Sequence, residues 1–159
     1  MSDGAPFRPH DEYDDLTMRV PVGLSGDARP PAPPKVLVIE DDEAVRTVLG
    51  RVLAAAGFEP VLAAGSADAE RLLSSEIAAM VLDFRIPGSR GDLFFYYASS
   101  RFPLLRRRTV FLTGDTSIEV EQMVAHTGCT MRHKPFVNSS LVQLMWTLVD
   151  VPTGAARRP

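Results

Sequence analysis

Four short stretches of this 159-residue chain carry side chains suited to one kind of chemistry. Glu40, Asp41 and Asp42 directly follow an apolar run, and Asp83 closes a second one. Thr113 and Gly114 close a third, and Lys134 stands just before Pro135 and Phe136. Carboxylates gathered in one place repel one another, and a hard divalent cation relieves that repulsion. Mg²⁺ prefers oxygen ligands and keeps several of its waters, so such acids suit it. A cation beside Asp83 could also neutralise a phosphoryl oxygen. A carboxylate is itself a nucleophile and can become an aspartyl phosphate. Lysine supplies a point charge to a second phosphoryl oxygen, and a threonine hydroxyl can bond to a third. Positioning and electrostatics of this sort are most of what phosphoryl transfer requires.

These residues meet only if the right elements hold them. Lys35–Ile39 is wholly apolar after its lysine, as expected of a strand buried on both faces. Val45, Val48, Leu49, Val52 and Leu53 then recur at helical spacing. Asp42 is placed as the N-cap of that helix and Gly57 as its stop. Glu59–Ala63 reads as a second strand, and Ser66 opens a helix containing Glu70, Leu72 and Leu73. Ala79–Asp83 is a third strand, and Asp92–Arg101 a helix stopped before Pro103. Thr109–Thr113 is a fourth strand, and Ser117–Thr127 a helix closed by Gly128. Thr130–His133 is a short fifth strand, and Asn138–Val149 the last helix. Five strands alternating with five helices predict an α/β domain, a parallel sheet covered on both faces. In such sheets the functional crevice lies beyond the carboxyl ends of the strands. The acids, the threonine and the lysine all fall there.

Composition sets the outer bounds. The chain is 45% hydrophobic and 23% charged, ordinary for a globular protein. It has no run of about eighteen apolar residues, which argues against a membrane span. It has no basic segment followed by an apolar run at its start, which argues against a secretory signal. With a single cysteine, Cys129, there is no internal disulfide and no thiol metal site, and a cytoplasmic location is expected. Seven of the thirteen prolines fall in residues 1–34, with six acids against three bases. That leader carries the whole net charge of −3, so the rest of the chain is neutral. It holds too few large apolar residues to offset chain entropy and reads as a disordered extension. A sharper reading lets Leu16–Val22 dock on the domain or on a partner. The expected organisation is an extension over residues 1–34, a domain over 35–150 and a frayed tail over 151–159.

The motifs Val36–Arg46 (VLVIEDDEAVR), Val81–Gly91 (VLDFRIPGSRG), Phe111–Asp115 (FLTGD) and Lys134–Phe136 (KPF) together resemble the receiver domain of bacterial two-component response regulators. That resemblance covers residues 35–150. It implies a flavodoxin-like, doubly wound five-stranded sheet in the order 2-1-3-4-5 with five helices. By position it makes Asp83 the phosphoacceptor, Thr113 the switch hydroxyl and Lys134 the phosphate-binding lysine. Glu40 and Asp41 become the acidic pair near Mg²⁺. They are chosen over Asp41 and Asp42 because Arg46 follows Asp41 by the family's usual five positions. The backbone carbonyl of Arg85 completes the protein's share of the metal shell, Pro135 is cis, and Gly114 leaves space beside the phosphate.

The resemblance breaks at the switch. The position that usually holds a tyrosine or phenylalanine is Met131, and the next, usually apolar, is Arg132. Methionine is flexible and specifies a position poorly, so a modified switch is expected around the fourth helix, fifth strand and fifth helix. Arg85 and Arg90 place charge at the rim, where Arg85 would either tune water access and phosphate lifetime or be a solvated loop charge. In the run Phe94–Tyr97, Leu93, Phe94 and Tyr97 are expected inward and Phe95 or Tyr96 outward. Arg106, Arg107 and Arg108 read as a solvated turn, and three arginines beside a neutral domain argue against DNA binding. His126 and His133 lack metal-ligand spacing. Trp146 reads as part of the packed face of the last helix, and Cys129 as a small packing residue.

The expected function is a single-domain receiver that takes a phosphoryl group on Asp83 from a sensor histidine kinase or a histidine phosphotransfer protein. It would signal by contact with an unidentified downstream protein, and homodimerisation through the fourth and fifth helices is open. Beyond Mg²⁺-dependent self-phosphorylation and autodephosphorylation no enzyme activity is expected. The alternative is a receiver-fold binding module that works without phosphate. An aspartyl phosphatase fits poorly, because its second acid would stand at Arg85.

Overall fold

The computed structural model describes residues 32–150. The leader up to residue 31 and the tail over residues 151–159, each read above from composition, lie outside the described residues.

Strand β1 is Lys35–Ile39, helix α1 Glu43–Ala55, β2 Glu59–Ala63, α2 Ser66–Leu72 and β3 Ile77–Asp83. There follow α3 Gly91–Arg101, a 3₁₀ turn Pro103–Arg107, β4 Thr109–Thr113, α4 Ile118–Thr127, β5 Thr130–His133 and α5 Asn138–Val149. All five strands are parallel, in the order 2-1-3-4-5, as expected for a flavodoxin-like receiver sheet. β1, β3 and β4 lie inside the sheet, so both their faces are covered, and that is why their sequences are unbroken apolar runs. Strand periodicity then sorts them into two cores. Leu37, Ile39, Met80, Leu82 and Phe111 face α2, α3 and α4, while Val36, Val38, Val81, Val110 and Leu112 face α1 and α5. The α1/α5 core is closed by Trp146, whose ring lies 4.2 Å from that of Phe58 and whose Nε1 donates to the Ala56 carbonyl. Each large side chain fully buried in these cores stabilises the fold by roughly 1.5–3 kcal/mol.

Three expectations need correction. β3 begins at Ile77 rather than Ala79, because the first residues pair with β1 across a register irregularity. The buried face of α1 is Leu49, Gly50 and Leu53, and Val48 is exposed. Gly50 turns the helix: a Cβ there would lie 3.2 Å from Leu62, so this face approaches β2 closely and the helix rolls Val48 outward. On α3 the inward residues are Phe94, Phe95 and Ala98, while Leu93, Tyr96 and Tyr97 are exposed. Phe95 packs edge-on against Phe111 of β4, and this contact fixes the helix's rotation.

The loops at the carboxyl rim are equally determined. Asp42 caps α1, its Oδ1 accepting from the Val45 N–H at 3.0 Å. After β3, Arg85–Ile86 pairs with Ser89–Arg90 in a two-rung hairpin turned by Gly88 at φ +85°. Gly91 then starts α3 with its N–H on the Phe84 carbonyl at 2.7 Å. A Cβ at residue 91 would fall 2.6 Å from the Asp83 carbonyl oxygen, so only glycine lets the helix begin there. No helix among the described residues is long and apolar enough to cross a membrane.

Candidate functional site

An open cleft of about 560 Å³ lies beyond the ends of β1, β3, β4 and β5. It is lined by Asp41, Asp83, Arg85, Thr113, Gly114, Asp115, Thr116 and Lys134. Glu40, Asp41 and Asp83 each offer a carboxylate oxygen within 4.8 Å of the others. Glu40 and Asp83 are buried and Asp41 is exposed. Asp42 points away as the helix cap, so the acidic pair expected beside Asp83 is the pair brought together. Arg46 Nη1 donates to the carbonyls of Glu40 at 2.7 Å and Asp41 at 3.1 Å, fixing the backbone of both acids.

Lys134 reaches this floor from the end of β5. Its Nζ donates to Asp83 Oδ2 at 2.5 Å and to Glu40 Oε2 at 2.6 Å. The following Lys134–Pro135 peptide is cis, as expected, and the Lys134 N–H bonds to the Thr113 carbonyl. Burial alone would push the Lys134 ammonium down, but hydrogen bonds and attraction from Asp83 and Glu40 outweigh it and raise its pKa. Burial pushes the Glu40 carboxyl up and the charge of Asp83 adds to this, against the pull of Lys134. Three acids share the charge of Lys134 here, so the site is short of positive charge.

Thr113 is buried at the end of β4, and its hydroxyl does not bond to Asp83. It accepts from the Asp115 N–H at 3.0 Å. Gly114 leaves open space, with no atom within 4 Å of where a Cβ would stand. Arg85 acts at the cleft in two ways. Its N–H donates to Asp83 Oδ1 at 3.0 Å, and its guanidinium spans to the Asp115 carboxylate in an ion pair. Arg90, expected as a rim charge, is half exposed and forms a two-pronged bond to Asp92 at 3.0 and 2.9 Å. Met131 does not line the cleft; it lies opposite Phe111 in the sheet and packs half-buried against the α2–α4 core.

Sequence reasoning missed Asp115. It joins Arg85, Thr113 and the start of α4, since its Oδ1 also accepts from the Ser117 N–H at 2.8 Å. The Arg85 contact and the Ser117 bonds hold its carboxyl down at about 2. The only signal was an acid two residues after Thr113 and an arginine two after Asp83.

Known proteins share this fold. The architecture is that of solved receiver domains. One is the CheY-like receiver domain protein of Methanospirillum hungatei JF-1 (20% identity, TM-score 0.68, 74% of this chain and 94% of that one). Another is the chemotaxis protein CheY4 of Vibrio cholerae (24% identity, TM-score 0.65, 74% of this chain and 99% of that one). In sequence, 120 residues are 31% identical to an NtrX-like response regulator of Rickettsia conorii, over 73% of this chain and 25% of that protein. The chain thus spans about a quarter of the length of the curated relatives it matches. No family model matches it. The described domain has the fold of solved receiver domains, and its sequence is similar to part of curated response regulators.

Proposed function

We propose that the domain takes a phosphoryl group onto Asp83 from a histidine kinase or histidine phosphotransfer protein and passes the signal on by protein contact. The observation that carries this reading is the convergence of Glu40, Asp41 and Asp83 within 4.8 Å, with Lys134 bonded to two of them. All-oxygen donors, a buried acid held up in pKa and a shortage of positive charge fit Mg²⁺. Glu40, Asp41, Asp83 and the Arg85 carbonyl would hold the ion, which supplies a double positive charge to offset the phosphoryl oxygens.

The chain's own residues do the rest. An Asp83 carboxylate oxygen forms the new bond to phosphorus while the phosphorus–nitrogen bond of the donor phosphohistidine breaks. The electron pair of that bond stays on the imidazole nitrogen. Lys134 stands at Asp83 Oδ2, ready to meet a phosphoryl oxygen as a point charge. Thr113 gives a second contact once its hydroxyl leaves the Asp115 N–H. Gly114 supplies the room for the group, and the open cleft admits the donor's imidazole. The kinase, the downstream protein and a homodimer through α4 and α5 belong to this reading as its partners.

A second reading, a binding module that works without phosphate, draws on Met131, which puts a flexible thioether where an aromatic switch ring is usual. One experiment separates the two. Incubation with acetyl phosphate and Mg²⁺, followed by intact mass measurement, is expected to add one phosphoryl group that is lost in Asp83→Asn. No gain in the unmodified sequence would favour the second reading.

A further inference from the structure

The residues that bridge the mouth of the cleft form a continuous chain of bonds. The Arg85 N–H holds Asp83 Oδ1, and the Arg85 guanidinium pairs with Asp115. The Asp115 N–H holds the Thr113 hydroxyl, and its carboxylate holds the Ser117 N–H, where α4 begins. Among the described residues Asp115 is the acidic partner of Arg85, and Arg85 is largely exposed, so its side chain is free to swing. Lys134, by contrast, is already committed to two carboxylates.

We propose that Asp115 is a positioning residue that couples the state of Asp83 to the first turn of α4. This rests on the receiver reading. With Asp83 unmodified, Asp115 holds Arg85 outward, Thr113 away from Asp83 and Ser117 in place. A phosphoryl group on Asp83 sets a dianion two residues from Arg85, a stronger partner for a guanidinium fork than one carboxylate. Arg85 moves to it and Asp115 loses its cation. The loop carrying the Thr113 hydroxyl and the Ser117 N–H loosens together with it. Such a route reaches α4 through the rim and needs no aromatic ring, which suits a chain with Met131 at the ring position.

The test uses the full chain, nitrogen-15 labelled, with and without beryllofluoride as a phosphoryl mimic in Mg²⁺. In the unmodified sequence the amides of Thr113 and Ser117 are expected to shift on loading. In Asp115→Asn the Ser117 amide is expected to start displaced and to lose most of its response, while Thr113 still responds. Arg85→Lys, which keeps the charge but not the fork, is expected to retain part of the Ser117 response. A role in loop structure alone would displace Ser117 in Asp115→Asn yet leave its response to the mimic intact, and that result overturns the proposal. So does a Ser117 amide that stays still in the unmodified sequence while Thr113 shifts; the receiver reading then survives. If neither amide moves and acetyl phosphate adds no mass, this proposal and the receiver reading fall together.

Discussion

Two sets of ion pairs share the cleft and differ in almost every physical respect. At the floor, Lys134 sits between Asp83 and Glu40, with side-chain exposures of 23%, 9% and 2%. At the mouth, Arg85 and Asp115 pair with exposures of 75% and 17%. Removing one member of a buried group strands the others out of water and is costly. An exposed pair is screened and contributes little. The floor is therefore rigid, short of positive charge and suited to chemistry. The mouth holds the same kinds of charge in a form that small changes can rearrange.

The largest break in this contrast comes from Lys134→Met. It leaves Asp83 and Glu40 without their cation and is expected to lower unfolding stability by about 2–3 kcal/mol, less than for a wholly buried pair because Lys134 is partly exposed. Urea denaturation measures this, and a loss no larger than that of Asp115→Asn would erase the distinction. Next is the cap beside the floor acids: Asp42→Ala should cost about 1 kcal/mol by freeing the Val45 N–H. The two regions should also respond to pH with opposite sign. Glu40 is raised in the fold, so its protonation favours the folded state, and that contribution, present below the ordinary value of 4.5, is lost as pH rises through the raised one. Asp115 is lowered to about 2, so its contribution is present above the ordinary 3.8 and lost as pH falls towards 2. Stability measured between pH 2 and pH 7 should show a smaller high-pH loss in Glu40→Gln and a smaller low-pH loss in Asp115→Asn. Smallest of all is the effect of salt. Raising it to about 1 M, where the screening length is near 3 Å, should move the Ser117 amide and leave the Lys134 side-chain resonances unchanged.

Much of this was legible in the sequence, because its signals are local. β1 and β4 begin and end where apolar runs meet their stop signals, β2, β5 and α5 keep the bounds expected of them, and the end of β3 at Asp83 was equally clear. Glu40, Asp41, Asp83, Thr113 and Lys134 were placed by their position at strand ends, and the fold carries them to one cleft. What was hidden depends on partners distant in sequence. The rotation of α3 is set by Phe95 meeting Phe111, which four consecutive aromatics cannot announce. That of α1 is set by Gly50 against Leu62. The Arg85–Asp115 pair joins two loops thirty residues apart; Arg85 stands out by its place after Asp83, but nothing in the sequence names Asp115 as its partner.

The glycine at position 91 has a consequence for how this domain could be altered. Because α3 starts with its bare backbone against the carbonyl of Asp83, no side chain cushions the contact. Helix α3 and strand β3 act there as a single mechanical part. A partner that pulled on the outer surface of α3 would be handling the main chain of Asp83 itself, and even an added methyl group would act as a wedge driven in behind its carboxylate.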